Sequence, residues 1–323
     1  MSRILVTGGG GFVGQALCPR LVEAGHQLVV STRDAKQLWA FKGSENIKLC
    51  EVGDLGPDTD WSAALKDVEV VIHLAARVHV MKETSSDPEG EFQRSNAQAT
   101  RRLAEQAVTA GVKRLVYLST IKVNGESTST TPYKETDIPN PQDAYSCSKR
   151  DAETHIQTIS QQNTLEFTIF RPPLVYGPGV RGNFLSLLKL CNKSFPLPFD
   201  SIVNSRSLLF VDNLADAIVH SLGADAARNQ TFLISDGPAV STPELIRQMS
   251  AALNKPARLF AFPPGLLRLA TTLIGKPGLM ERLEGSLEID NSLICTALDW
   301  TPPYNMVQGF KQMADAYHKQ VER

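Results

Sequence analysis

Thr7-Gly8-Gly9-Gly10-Gly11-Phe12-Val13-Gly14 stands between an apolar run, Ile4–Thr7, and a helical pattern, Phe12–Ala24, that stops at Gly25. Strand, glycine turn and helix, in that order, let a backbone come close to a diphosphate. Gly8 permits the tight turn. Gly11 lets the backbone approach the phosphates, where a Cβ would collide. Gly14 lets the helix pack close to the strand. The helix N-terminus at Phe12 and Val13 then presents free N–H groups and partial positive charge. The stretch reads as the opening of a dinucleotide-binding βαβ unit.

Working outward, apolar runs keep alternating with helical patterns. Gln27–Thr32, Ile47–Val52, Val68–His73, Arg114–Leu118 and Leu165–Phe170 read as further strands. Glu91–Ala110 and Asp143–Ser160 read as helices. Strands that are nearly all apolar belong to parallel sheets covered on both faces. Helices between them imply right-handed crossovers. The fold class is therefore α/β, a Rossmann-type doubly wound parallel sheet. After Arg171-Pro172-Pro173, proline, glycine and loops become frequent. The expected division is a dinucleotide domain at 1–172 and a smaller mixed substrate lobe at 173–323. Within that lobe, 205–245 partly returns to the first domain, with a strand at Thr231–Ser235 and a helix from Ser241-Thr242-Pro243-Glu244.

Bulk composition narrows the function classes. The chain has 323 residues, 42% hydrophobic and 21% charged, with net charge −1. That balance recruits neither nucleic acid nor an acidic membrane. Five scattered cysteines show no ligand spacing, so no metal site is expected, and a reducing, cytoplasmic setting fits. Met1-Ser2-Arg3 is too short to begin a signal peptide. No apolar stretch is long enough to span a bilayer. The nearest, Leu259–Gly275, is broken by Pro263, Pro264, Gly265 and Arg268, and its second half reads as an amphipathic helix facing a core.

Two strand ends bear on the cofactor. The second strand ends Ser31-Thr32-Arg33-Asp34. An acid there would hold the adenosine ribose and favour NAD. Thr32 occupies that place and Arg33 follows, and an arginine pairs with a 2′-phosphate. This tips the expectation from NAD toward NADP(H), although Asp34 still lies within reach of the ribose. Asp54-Leu55, after the third strand, is expected to border the adenine.

The chemistry is expected at Tyr145-Ser146-Cys147-Ser148-Lys149. Residues at i and i+4 share one helix face. A free tyrosine titrates near 10, and a neighbouring ammonium favours the phenolate and lowers that value. Tyr145 is then the base when an alcohol is oxidised and the acid when a ketone is reduced. Lys149 also holds the nicotinamide ribose. Upstream, the strand end Ser119-Thr120 offers a hydroxyl to the substrate oxygen. Thr120 is the first choice and Ser119 its neighbour. The bland alternative is a strand-end hydroxyl that satisfies its own backbone.

With these motifs in place the chain resembles extended short-chain dehydrogenases/reductases of the nucleotide-sugar epimerase/4-ketoreductase branch. The resemblance covers nearly the whole chain. Its marks are the glycine loop, His73-Leu74-Ala75-Ala76, Asn96, Ser119-Thr120, Tyr145 with Lys149, Arg171-Pro172-Pro173-Leu174-Val175-Tyr176-Gly177-Pro178-Gly179 and Phe210-Val211-Asp212-Asn213-Leu214-Ala215. It implies that Leu74, Ala75, Ala76 and Pro172 line the cofactor and that Asn96 supports the loop beneath it. It also implies that Asn183, Arg206 and, more loosely, Arg282 meet the diphosphate of a nucleotide sugar, and that the chain forms a homodimer through the helices containing Glu91–Ala110 and Asp143–Ser160.

Two departures pull away from an epimerase: Thr32-Arg33 where an acid is usual, and Leu174 where asparagine is frequent. The segment His73–Met81 is similar to ketoreductases that finish bacterial 6-deoxy-HexNAc nucleotides for polysaccharide (O-antigen), and His79 stands there as a possible substrate contact. Three readings stay open. The first is a UDP-4-keto-6-deoxy-N-acetylhexosamine 4-reductase. The second is a UDP-hexose 4-epimerase with retained NAD. The third is a non-catalytic nucleotide sensor, against which the presence of both Tyr145 and Lys149 argues.

Overall fold

The computed structural model describes residues 1–34, 43–78, 86–273 and 283–321. Six strands open the chain: β1 Arg3–Thr7, β2 Gln27–Thr32, β3 Ile47–Glu51, β4 Val70–His73, β5 Arg114–Leu118 and β6 Glu166–Arg171. A later strand, Gln230–Leu233, joins them beside β6. All pairings in this seven-stranded sheet are parallel, in the order β3-β2-β1-β4-β5-β6 and then Gln230–Leu233.

Alternation along each strand assigns its side chains to two cores. Ile4 and Val6 face one side, with Leu17, Cys18 and Leu21 of helix α1 (Phe12–Glu23) and Ile218 and Ile294. Leu5 faces the other, with Trp61, Leu103 and Ala104 of the helix Ala99–Thr109 and Ala152 and Ile156 of the helix Ala144–Gln162. A sheet buried on both faces needs apolar residues at nearly every strand position, and these strands have them.

A third core forms around Tyr176. Tyr176 stacks among Phe184, Phe210 and Phe310. Its hydroxyl donates to Asp236, whose carboxylate also accepts from the Phe210 N–H and the Asn213 amide. Sequence patterning overlooked the two-stranded parallel sheet here, Leu174–Tyr176 with Leu208–Phe210, because each strand is only three residues long.

Two expected elements differ from what forms. Glu91–Ala110 is a short helix α2 (Pro88–Phe92), a π-helical stretch Gln93–Gln98, and helix α3 (Ala99–Thr109). A π-stretch adds a residue per turn, and here the displaced turn carries buried Asn96 inward. The helix Pro264–Leu273 forms, but only Leu267 of its described leucines is buried; Leu266 and Leu269 are more than half exposed. No helix among the described residues is long and apolar enough to cross a membrane.

Candidate active site

In an open parallel sheet a ligand crevice forms at the carboxyl ends of the strands, where the strand order reverses. Here the chain runs outward from β1 through β2 to β3 and returns to β4 on the other side of β1, so the crevice opens between β1 and β4. Gly8 follows β1, Thr32 ends β2, Leu74 follows β4, Ser119 and Thr120 follow β5, and Pro172 follows β6. The sheet therefore brings most of the expected residues to one edge.

The glycine loop is shaped by contacts that a Cβ would destroy. Gly8 has φ +71° and faces the Ala75 backbone, where a Cβ would lie 2.8 Å from the Ala75 nitrogen. A Cβ on Gly14 would lie 2.5 Å from the Gly8 carbonyl oxygen, so this residue packs against the loop itself rather than against the strand as expected. Gly9, not singled out from the sequence, is the position that meets β2: its Cβ would press on Val30. A Cβ on Gly11 would meet only the Gly8 oxygen, at 3.1 Å, so the outer face of the loop is bare. The Phe12 and Val13 side chains pack against the core around Tyr176, leaving their backbone N–H groups to act at the helix start. That first turn has no acidic residue and no side-chain cap. Bare glycine surface and uncapped donors fit a dinucleotide diphosphate.

At the end of β2, Thr32 stands where an acid is usual, and its hydroxyl turns back on the chain. Thr32 Oγ1 donates to the Asp34 carbonyl and accepts the Asp34 N–H, so it is spent on its own turn. Arg33 lies 3.7 Å from Asp54 in an exposed ion pair, which joins two of the expected cofactor residues. Leu55 packs on the core nearby.

Beneath the crevice runs a chain of buried polar groups. The His73 ring bonds Thr7 Oγ1 at 2.6 Å and Thr100 Oγ1 at 3.0 Å and stacks on Tyr117. Burial, and then the Lys149 charge, drive its pKa down to about 3, so the ring stays neutral. The Ala75 N–H donates to Thr7 Oγ1. Asn96 accepts the Arg77 N–H at 2.7 Å, and its amide donates to the Arg77 carbonyl and to Ser148 Oγ. Asn96 thus ties the segment after β4 to the helix Ala144–Gln162. Ala76 lies between these anchors.

Tyr145 and Lys149 sit in the first two turns of helix α4 (Ala144–Gln162), which Asp143 caps through the Ser146 N–H in a reciprocal capping box. Lys149 is fully buried. Its Nζ donates to the Leu118 carbonyl at 2.6 Å and lies 4.1 Å from the Tyr117 ring centre. Burial pulls its pKa down to about 7, against which Glu153 one turn further acts to raise it. The expected lowering of Tyr145 is reversed here. Burial first, and then the Asp143 charge, push its phenol up to about 12. The physical reason is that burial strips water from the phenolate and the like charge of Asp143 adds to that cost.

Thr120 Oγ1 accepts the Lys122 N–H at 3.3 Å and caps a short 3-10 turn, which leaves its own proton free to donate. Ser119 is buried, and its hydroxyl has no partner among the described residues. The Pro172 carbonyl accepts the Ile121 N–H, fixing the Thr120 turn against β6. Below it, Arg171 forms a buried forked pair with Glu153, and its remaining arm donates to Asn124. Asp143 and Glu153 were missed from the sequence. The Asp-x-x-Ser capping pattern would have flagged the first; nothing local flags the second.

Asn183 is exposed in the first turn of helix Gly182–Asn192. Arg206 is half-buried between Val240 and Leu287, donates Nε to the Gly285 carbonyl, and faces no carboxylate among the described residues. Burial lowers its pKa, so an anion would stabilise it. Arg282 and His79 lie outside the described residues. Among the described residues there is no cluster of three or more His, Cys, Asp or Glu placed to hold a metal.

A parallel sheet with a reversing strand order and a bare glycine turn at its crevice make a Rossmann-type fold, with the Tyr145–Lys149 helix beside the crevice. The chain belongs to the NAD dependent epimerase/dehydratase family, whose model matches residues 4–235. It is 41% identical over 317 residues to a UDP-glucose 4-epimerase of Vibrio cholerae, spanning 97% of this chain and 95% of that one. It is 28% identical over 336 residues to a UDP-glucose 4-epimerase of Mycolicibacterium smegmatis, spanning 99% of this chain and all of that one. In fold it matches the Bacillus cereus UDP-glucuronic acid 4-epimerase in complex with UDP-glucuronic acid and NAD, with TM-score 0.78, 22% identity and 99% of each chain covered.

Proposed function

We propose that this enzyme interconverts the C4 epimers of a UDP-hexose with a retained NAD. The observation that carries the reading is the 41% identity, across almost the whole chain, to a UDP-glucose 4-epimerase. It favours the epimerase over the ketoreductase that Thr32-Arg33 and His73–Met81 suggested. In this reading residues 1–172 hold the dinucleotide, 173–323 hold the sugar nucleotide, and 205–245 return to the sheet.

Gly8, Gly11 and Gly14 with the first turn of α1 hold the diphosphate, Leu74–Ala76 and Pro172 line the crevice, and Arg33, Asp54 and Leu55 border the adenosine. A nicotinamide held in this crevice would supply the hydride acceptor and donor for C4. Tyr145 takes the proton of the 4-hydroxyl and gives it back after the keto sugar has turned over. Thr120 donates its free proton to the C4 oxygen, with Ser119 behind it. Lys149 offers its ammonium to the ribose and to the phenolate. Arg206 and Asn183 grip the UDP diphosphate, the arginine through its forked N–H groups. The helices around Glu91–Ala110 and Asp143–Ser160 form a homodimer interface, which light scattering of the purified protein checks.

A second reading is supported by one observation, the absence of an acid at the end of β2. It is reduction of a UDP-4-keto-6-deoxy-N-acetylhexosamine with NADPH. One experiment separates the two. Purified protein is incubated with UDP-glucose, UDP-galactose and UDP-N-acetylglucosamine, and products are resolved by anion exchange. Nucleotide released on denaturation is identified in parallel. Interconversion with NAD released supports the epimerase. No interconversion, with stoichiometric NADPH consumption on the 4-keto sugar, overturns it in favour of the reductase.

A further inference from the structure

Lys122 belongs to no motif of the site, yet it touches both sides of it. Its backbone N–H donates to Thr120 Oγ1, and its Nζ donates to Asp143 Oδ2 at 2.7 Å and to Glu126 Oε1 at 2.8 Å. The side chain is about two-thirds shielded, with 36% relative exposure, so these are not freely solvated surface pairs. Asp143 in turn caps α4 through the Ser146 N–H at 2.6 Å, two residues before Tyr145. One residue thus connects the turn that carries Thr120 with the helix start that carries Tyr145.

The charges around Tyr145 give this connection a consequence. On its own helix the Asp143 charge acts on it, and Lys149 lies one turn further along. Tyr117 from β5, His73 from β4 and Arg171 from β6 make up the polar floor, and Phe92 of α2, covered by Arg77, lies edge-on to it. Burial would raise the Asp143 pKa, but the bonds from Lys122 and Ser146 hold it at about 2. Asp143 is therefore a full anion at any working pH. After burial, its charge is the second cause that disfavours the Tyr145 phenolate. Among the described residues, Lys122 is the cation paired with Asp143.

We propose that Lys122 is a positioning residue for the C4 chemistry: it ties the Thr120 turn to the N-cap of α4 and offsets the Asp143 charge beside Tyr145. Its effect on turnover rests on the oxidoreductase reading above, whereas its effect on Tyr145 ionisation does not.

The test uses full-length protein labelled with [13C]tyrosine at Cζ, with and without added NAD. The Tyr145 resonance is identified by its absence in Tyr145→Phe. Lys122→Met should delay ionisation of Tyr145 by roughly half a unit to one unit of pH, and Lys122→Arg should restore the wild-type curve. Asp143→Asn removes the charge but keeps a good cap, so ionisation should move earlier. Lys122→Met added to Asp143→Asn should then change little, because Lys122 acts through Asp143. A Lys122→Met curve that overlays wild type overturns the proposal, as does a shift of equal size in the Asp143→Asn background. If Lys122→Met fails to fold, the comparison of wild type with Asp143→Asn decides, and an unchanged curve overturns the proposal. In turnover, the rising limb of the pH–kcat profile should move with the resonance. A wild type without UDP-hexose interconversion refutes the function while leaving the resonance test standing.

Discussion

Glu153→Ala would leave the Arg171 guanidinium buried without its counter-ion. The two side chains are only 7% and 3% exposed, and Nε donates to the carboxylate at 3.0 Å while Nη2 donates to its second oxygen. Among the described residues Asn124 is the other hydrogen-bond partner of that guanidinium, at 2.9 Å, and a neutral amide oxygen cannot replace a carboxylate. Breaking such a pair by removing one partner costs about 3–5 kcal/mol. For a chain of this size that corresponds to a fall of roughly 4–7 °C in Tm. The cost is one of stranding a charge, not of losing attraction. A double replacement, Glu153→Met with Arg171→Met, should therefore recover most of the loss, to within about 1–2 kcal/mol of wild type. Urea unfolding followed by far-ultraviolet circular dichroism measures all three proteins. A single variant within about 1 kcal/mol of wild type, or a double variant no better than the single, would refute the reasoning.

Three further outcomes follow from the site. Tyr145→Phe should lower kcat for UDP-hexose interconversion at least about 100-fold while bound NAD is retained; substantial residual turnover would remove Tyr145 from the proton transfer. Gly14→Ala puts a methyl group against the Gly8 and Gly9 carbonyls, so the loop must shift; NAD affinity measured by calorimetry should drop tenfold or more, at a stability cost of about 1–3 kcal/mol. His73 is held neutral with a pKa of about 3, below its unfolded value, so the unfolded chain binds a proton first as pH falls. Stability is then fully present above about pH 6.5 and is lost progressively toward pH 3, by at most about 5 kcal/mol, and His73→Gln should flatten that slope in unfolding curves taken at several pH values.

Much of this protein is written in local spacing. The alternation of apolar runs with helical patterns determined a doubly wound sheet, because strands buried on both faces have few alternatives. The glycine loop and the Tyr145–Lys149 interval are equally local: one is a conformational requirement, the other a single turn of helix. What spacing could not carry is the company each residue keeps. Gly9 meets Val30, Asn96 holds Arg77, Arg171 meets Glu153 and Lys122 meets Asp143 only after the sheet order has brought distant segments together. The π-helical turn that aims Asn96 inward leaves no mark in an apolar pattern averaged over several turns. The pKa of Tyr145 went opposite to the expectation from its spacing to Lys149, since burial acts on each group through everything around it, and only the tertiary structure decides how much water is left.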